Sequence, residues 1–403
     1  MIWEQIRSNQ RRSTMLVVMM GIVLLALGFF VGEVFFNSAI AGLIIALIIW
    51  GIMVLVALTQ GDAILLGISG AHKIEKKDHP RLFDVVEEMK IASGLEKMPD
   101  IYIIDDPALN AFATGRDAQH ASVAITSGLL QKLSRDELQA VIAHEIGHIR
   151  NRDVQLMSML SVLLGTIVII SWYATRFLFL GGGGGRRRSS SGGGQGQIII
   201  LVIGIVFMIL APIAAQLIYF AVSRKREYLA DASSALYTRY PEGLASALEK
   251  LGNSNTQVQK ANKATAPMYI INPLEKRSLS AGDLTSTHPP IAERIRILRA
   301  MGGASYSEYD KAYRTAKGGT GVMPGSALAA PTVGLRAASS ETGPVENVAE
   351  RIDRTRETSD MLWNLNDYNT IDCDCGTRLR IPPNYHSLTV RCPHCGRIHP
   401  TPR

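Results

Sequence analysis

The run His144-Glu145-Ile146-Gly147-His148 places two imidazoles and a carboxylate at a spacing suited to metal chemistry. Residues four apart share one face of a helix, so both imidazoles can bind a single ion. Glu145 projects beside that face, where a carboxylate can take a proton from a metal-activated water. The pattern also fits an ordinary amphipathic helix, but its surroundings favour the metal. Ser134-Arg135-Asp136-Glu137 is a capping box, and Leu138, Val141, Ile142, Ile146 and Ile149 follow at helical spacing.

An open catalytic zinc site needs a third protein ligand and leaves one position for water. Glu227 is the candidate, within Ser223-Arg224-Lys225-Arg226-Glu227-Tyr228-Leu229-Ala230-Asp231. Glu227 and Asp231 are four apart on a predicted helix, so one carboxylate can bind zinc while the other orients a ligand imidazole through its second nitrogen. A solvated charged face would explain Arg224, Lys225 and Arg226, but it explains the two acids less well. Two apolar runs long enough to cross a bilayer separate His148 from Glu227, and an even number of crossings returns the chain to the same side.

The four cysteines gather at the C-terminus, as Cys373-x-Cys375 and, after sixteen intervening residues, Cys392-Pro393-His394-Cys395. Two close pairs at this separation resemble a zinc ribbon, with four thiolates closing a tetrahedron around a structural ion. Gly376 and Gly396 follow the pairs, where such knuckles turn tightly. Nothing here looks like a disulfide framework.

HEIGH, a membrane hairpin and then SRKREYLAD together resemble the HtpX-type (heat-shock protein X) membrane zinc endopeptidases, relatives of the type 1 CAAX prenyl protease. The resemblance covers about residues 1–300. It extends to Asn110-Ala111-Phe112-Ala113-Thr114-Gly115, Ile271-Asn272-Pro273-Leu274, Ser286-Thr287-His288-Pro289-Pro290 and Arg294. It implies a gluzincin arrangement, with His144, His148 and Glu227 holding catalytic zinc and Glu145 as base. It also implies a substrate lying along an edge strand near Asn110, with His288 and Arg294 close to the scissile carbonyl.

Long apolar elements must carry these residues. Charged residues are 19% of the 403, below the usual quarter, and the mean hydropathy is +0.13. The apolar excess sits in four runs, Met15–Phe36, Ala39–Leu58, Leu156–Tyr173 and Ile198–Phe220, each near the length that spans a ~30 Å hydrocarbon core. Ala39-Ile40-Ala41 resembles a signal cleavage site, yet the first run leads straight into a second span. With the N-terminus inside, eleven Lys and Arg flank the spans on the cytoplasmic side and four lie outside, including the Arg186-Arg187-Arg188 triplet.

Between the spans, helix signals occur around Pro80–Gly94 and β-like runs at Ile101–Ile104 and Ser122–Thr126. The Gly/Arg/Ser-rich stretch 181–197 reads as a flexible loop, and with no aromatics among its arginines it gives no reason to expect nucleic acid. Residues 302–365, rich in Gly, Ala, Ser, Thr and Pro, read as a flexible linker.

The expected architecture is a mainly α multi-pass membrane protein, with an α+β gluzincin-type metalloprotease domain and a small zinc ribbon. Residues 1–58 hold two spans, 59–301 the protease domain interrupted by a hairpin at 156–220, 302–365 the linker and 366–403 the ribbon. The expected function is a plasma- or inner-membrane endopeptidase facing the cytoplasm, carrying one catalytic and one structural zinc. Its expected substrates are misfolded or membrane proteins, and the ribbon is open to a protein partner. A rival is an inactive membrane-anchored adaptor, against which the intact His144, Glu145, His148 and Glu227 argue. A transporter is disfavoured, because no span carries a central charge. A tethered ribbon predicts that truncation after about residue 305 leaves peptide cleavage intact.

Overall fold

The computed structural model describes residues 2–180, 194–259, 265–273, 288–329, 331–339 and 348–401. Residues 181–193 of the Gly/Arg-rich stretch, and Leu274, Ser286 and Thr287, lie outside the described residues.

Apolar run length dictates the first elements. α1 (Ile2–Phe36) and α2 (Ala39–Ser69) form a hairpin through Asn37, at φ 55°, and Ser38 caps α2 by accepting from Ala41 N–H at 3.3 Å. α6 (Asp153–Leu180) and α7 (Gly194–Thr238) make the second hairpin. Among the described residues, Val17–Phe36, Ala39–Ser69 and Asp153–Arg176 are long and apolar enough to cross a membrane. The run 198–220 lies within α7. At 45 residues and 1.5 Å per residue, α7 is about 68 Å long, roughly twice a hydrocarbon core. Its C-terminal half therefore stands in the protease body, and Ser223–Tyr237 continues it without a break.

That body begins with β1 (Ala71–Lys73), α3 (Pro80–Ser93), β2 (Asp100–Ile104), β3 (Ala111–Gly115) and β4 (Ala121–Thr126). The sheet order is β1-β2-β4-β3, with β2 parallel to β4 and β3 antiparallel to it on the edge. β3 is buried along its whole length, so it lacks the alternation that marks a half-exposed strand. α4 (Ser127–Lys132) leads to α5 (Arg135–Arg150), whose capping box forms as expected: Ser134 Oγ accepts from Glu137 N–H and Glu137 Oε2 accepts from Ser134 N–H. α5 is buried on nearly every face, among the sheet, α3, α7 and α8 (Pro241–Asn253).

The chain beyond residue 302 differs from the expected linker. α10 (Tyr306–Lys317) packs on α7 and on α9 (Ile291–Arg299), and the short α11 (Gly325–Leu328) follows. Arg336 donates to Asp136 at 2.8 Å, and Ala304 pairs with Val333, so residues 331–339 strap the start of α5. α12 (Val348–Leu365) lies on α4, with Arg354 donating to the Gln131 carbonyl and Met361 joining the main core. Low hydropathy hid this packing, which rests on tyrosines, buried ion pairs and caps rather than on aliphatic runs.

Two hairpins end the chain, β5 (Asn369–Asp372) with β6 (Arg378–Ile381) and β7 (Thr389–Arg391) with β8 (Ile398–Pro400). Gly376 and Gly396 have φ of 83° and 76°, as the knuckle turns require. The first hairpin sits against α12: Arg378 and Arg380 both reach Asp360, and the Arg380 guanidinium lies over the Trp363 ring.

Candidate active site

α5 and α7 cross closely because both are small at the contact. A Cβ on Gly147 would stand 3.0 Å from Ser233 Cβ and 3.4 Å from Ala230 Cα, and Ser234 Oγ donates to the Ala140 carbonyl at 2.7 Å. This approach brings Glu227 to the histidines. His144 Nε2 and His148 Nε2 are 3.2 Å apart, and Glu227 Oε2 and Oε1 lie 3.6 and 3.5 Å from them respectively. Four ligands about 2.1 Å from a zinc ion form a tetrahedron with edges of about 3.4 Å. The two imidazole nitrogens and the carboxylate that spans them lie at this spacing. Glu227 Oε2 and Glu145 Oε1 are buried without hydrogen-bond partners, which fits oxygens facing a cation and a water.

Carboxylates hold the outer nitrogen of each imidazole. Asp231 Oδ1 lies 3.0 Å from His144 Nδ1, and Asp153 Oδ2 lies 3.4 Å from His148 Nδ1. Both fit the pattern in which a second carboxylate fixes a ligand's tautomer. Asp153 is absent from the sequence expectations. It reaches His148 because Arg152 adopts φ 59° and turns the chain from α5 into α6. Arg226 Nη1 lies 3.2 Å from Asp153 Oδ1.

Arg294 is fully buried, with Nη1 3.6 Å from Glu227 Oε2. Its Nε and Nη2 donate to Asp231 at 2.9 and 2.6 Å, and Nη1 donates to the Ile270 carbonyl at 3.3 Å. Asn110 is spent on structure: its Nδ2 donates to the Ile271 carbonyl at 2.8 Å. His288 stays near the site, with Nε2 3.7 Å from Glu227 Oε2.

The edge strand nevertheless faces the site. Asn110 accepts from Thr126 N–H, so by the two-residue period Ala111, Ala113 and Gly115 turn their backbone groups outward. The Ile270 N–H takes the Ala111 carbonyl, while the Ala113 N–H is directed at Glu145.

Electrostatics follow from burial and these partners. Burial disfavours a charged His144, but Asp231 and Glu227 override it and lift the imidazole to about 9. Burial raises Glu145 above the usual carboxylate range, against the pull of His144 and His148. Burial works the same way on Glu227 and Asp231, yet His288 and the ligand imidazoles hold Glu227 far below its ordinary value, and Arg294 holds Asp231 down.

Among the described residues, a second group is close enough to hold a metal: Cys373, Cys375, Cys392 and Cys395. Cys373 and Cys395 sulfurs are 3.4 Å apart and Cys375 and Cys392 sulfurs 3.6 Å, near the roughly 3.8 Å edge of a zinc–thiolate tetrahedron. The Thr377 hydroxyl and N–H hold the Cys375 thiol down to about 5.

Comparison with known proteins fits this geometry. Residues 76–302 match peptidase family M48. A protease HtpX homolog of Streptococcus pneumoniae (strain Hungary19A-6) is 43% identical over 302 residues, covering 75% of this chain and all of its own. A protease HtpX homolog of Dictyoglomus turgidum (strain DSM 6724 / Z-1310) is 43% identical over 300 residues, covering 74% of this chain and 95% of its own. The crystal structure of Ste24p from S. mikatae aligns with a TM-score of 0.39 at 21% identity, over 73% of this chain and 66% of that one. The chain belongs to peptidase family M48 and is a metalloprotease.

Proposed function

We propose that the protein is a membrane-embedded zinc endopeptidase in which His144, His148 and Glu227 hold the catalytic ion. The observation that carries this is the pair of imidazole Nε2 atoms 3.2 Å apart, each within 3.6 Å of a Glu227 oxygen, beside the unpartnered Oε1 of Glu145. Bound zinc supplies Lewis acidity, polarising a peptide carbonyl and bringing a water close to ionisation at neutral pH. Glu145 accepts the proton of the attacking water and delivers it to the leaving amine. Its raised proton affinity suits both halves of that task.

A substrate chain adds to the sheet along the outer edge of β3, donating to the Ala113 carbonyl, which demands little of its sequence. His288 steadies the developing oxyanion. Arg294 acts one step back, fixing Asp231 and through it His144. Open-ended backbone recognition next to membrane spans suits unfolded segments of membrane proteins, a quality-control role. The balance of Lys and Arg favours a site on the cytoplasmic face. The four cysteines hold a second, structural zinc, and the ribbon they fold is open to a protein partner.

The test is detergent-purified protein loaded with zinc and given an unfolded substrate. Glu145→Gln should keep its zinc and lose about 10²–10⁴ in rate. Cleavage by that variant near the wild-type rate would remove Glu145 from the mechanism.

A further inference from the structure

The region that matches peptidase family M48 ends at residue 302, but the wall behind the ligands does not. Ser305 starts α10 by accepting from Glu308 N–H at 3.1 Å. One turn on, Tyr309 is fully buried and its hydroxyl donates to Asp231 Oδ2 at 3.4 Å. Burial and the neighbouring Asp231 carboxylate keep that phenol protonated, so it remains a donor.

Asp231 thereby has each oxygen claimed twice. Oδ1 takes Arg294 Nη2 and faces His144 Nδ1, while Oδ2 takes Arg294 Nε and the Tyr309 hydroxyl. α10 is itself anchored where it passes the site. The Tyr313 ring meets Tyr228 edge-on at 5.0 Å, one residue from Glu227. Asp310 accepts from the N–H groups of Val322 and Met323, which folds the following loop back onto the helix.

We propose that Tyr309 is a positioning residue for His144, acting through Asp231, so that the chain beyond the matched region is part of the catalytic unit. This rests on reading His144 as a zinc ligand. Arg294 alone clamps the carboxylate along one edge, and the Tyr309 hydroxyl satisfies the remaining direction at Oδ2. Without it Asp231 can rotate toward another donor and carry the imidazole with it. The ion would then stay bound in an altered ligand field.

The experiment compares Tyr309→Phe, Tyr313→Phe and Glu145→Gln in the full-length protein. Removal of a partner that orients a ligand typically costs 10–100-fold. Tyr309→Phe is expected to lower kcat by about tenfold with KM within about twofold, because substrate pairs with β3 and not with α10. The visible absorption of the Co²⁺-substituted variant should differ from that of the parent, since the field at His144 has changed. Tyr313→Phe keeps its ring against Tyr228 and should match the parent in both readouts. Wild-type kcat and an unchanged cobalt spectrum in Tyr309→Phe would overturn the proposal, as would an equal loss in Tyr313→Phe, which would mean general loosening of α10. An active Glu145→Gln enzyme is a different failure: it would overturn the site reading on which the proposal stands.

Discussion

Asp153 Oδ2 stands 3.4 Å from His148 Nδ1 although the α5 helix has ended and the chain has reversed between them. The two histidines are thus held in parallel, His144 by Asp231 from α7 and His148 by Asp153 from the head of α6. Each helix of the second hairpin contributes one carboxylate.

Replacing Asp153 by Asn should therefore weaken zinc binding by about 10–100-fold while leaving substrate KM near its parent value. Competition against a chelator of known affinity measures the first and steady-state kinetics the second. Unchanged zinc affinity would show that His148 is oriented by its helix alone.

Glu227→Ala and Asp231→Ala separate a ligand from its support. The former should be purified without catalytic zinc, whereas the latter should retain it at affinity reduced by about 10–100-fold. Metal analysis after dialysis distinguishes them. Equal zinc content in both variants would place the third ligand elsewhere.

Zinc uptake should release protons. In the metal-free protein His144 is lifted to about 9, so below that pH its imidazole is protonated and the ion must displace the proton. Affinity should fall by about tenfold from pH 8 to pH 7 for each proton so displaced. Calorimetry in buffers of different ionisation enthalpy counts the protons, and a pH-independent affinity would contradict the coupling.

The ribbon prediction concerns stoichiometry. Metal content should be near two zinc ions per chain, falling to one in Cys392→Ser/Cys395→Ser, and peptide cleavage should persist, since α12 keeps its own contacts, Arg354 with α4 and Met361 with the main core. Removing only residues after 366 should behave the same way. Truncation after about residue 305 should not: it deletes α10, with Tyr309 against Asp231, and Arg336 against Asp136. Retained activity in that short chain would restore the picture of a tethered module.

The grouping of His144, His148 and Glu227 was legible because it is local or counted. His144 and His148 share a helix face, the capping box marks where that helix begins, and two long apolar runs between His148 and Glu227 allow the chain to return to its starting point. The cysteine spacing and the glycines after each pair were legible for the same reason. Asp153 was not, because its approach depends on one left-handed residue, Arg152, rather than on a helical interval. Asn110 was expected near substrate, but its side-chain amide is taken by the Ile271 carbonyl, while Arg294 reaches both Asp231 and the edge of Glu227. The stretch after 302 was misjudged by composition. Its signal was amphipathic and aromatic: Tyr306, Tyr309 and Tyr313 fall on one face after a Ser305 cap, a pattern that an aliphatic count does not register.

The buried acids and bases also determine which ion the protein can hold. Glu145, Asp153, Glu227 and Asp231 bring four carboxylates into a space that contains two guanidinium groups, from Arg226 and Arg294. The ligand imidazoles are neutral when they coordinate. A divalent cation restores electroneutrality, whereas a monovalent one leaves net negative charge in a medium that solvates it poorly. In the metal-free protein a proton on His144 offsets part of that deficit, since Asp231 and Glu227 lift its imidazole to about 9. Valence is selected by the surrounding charges before coordination geometry discriminates further.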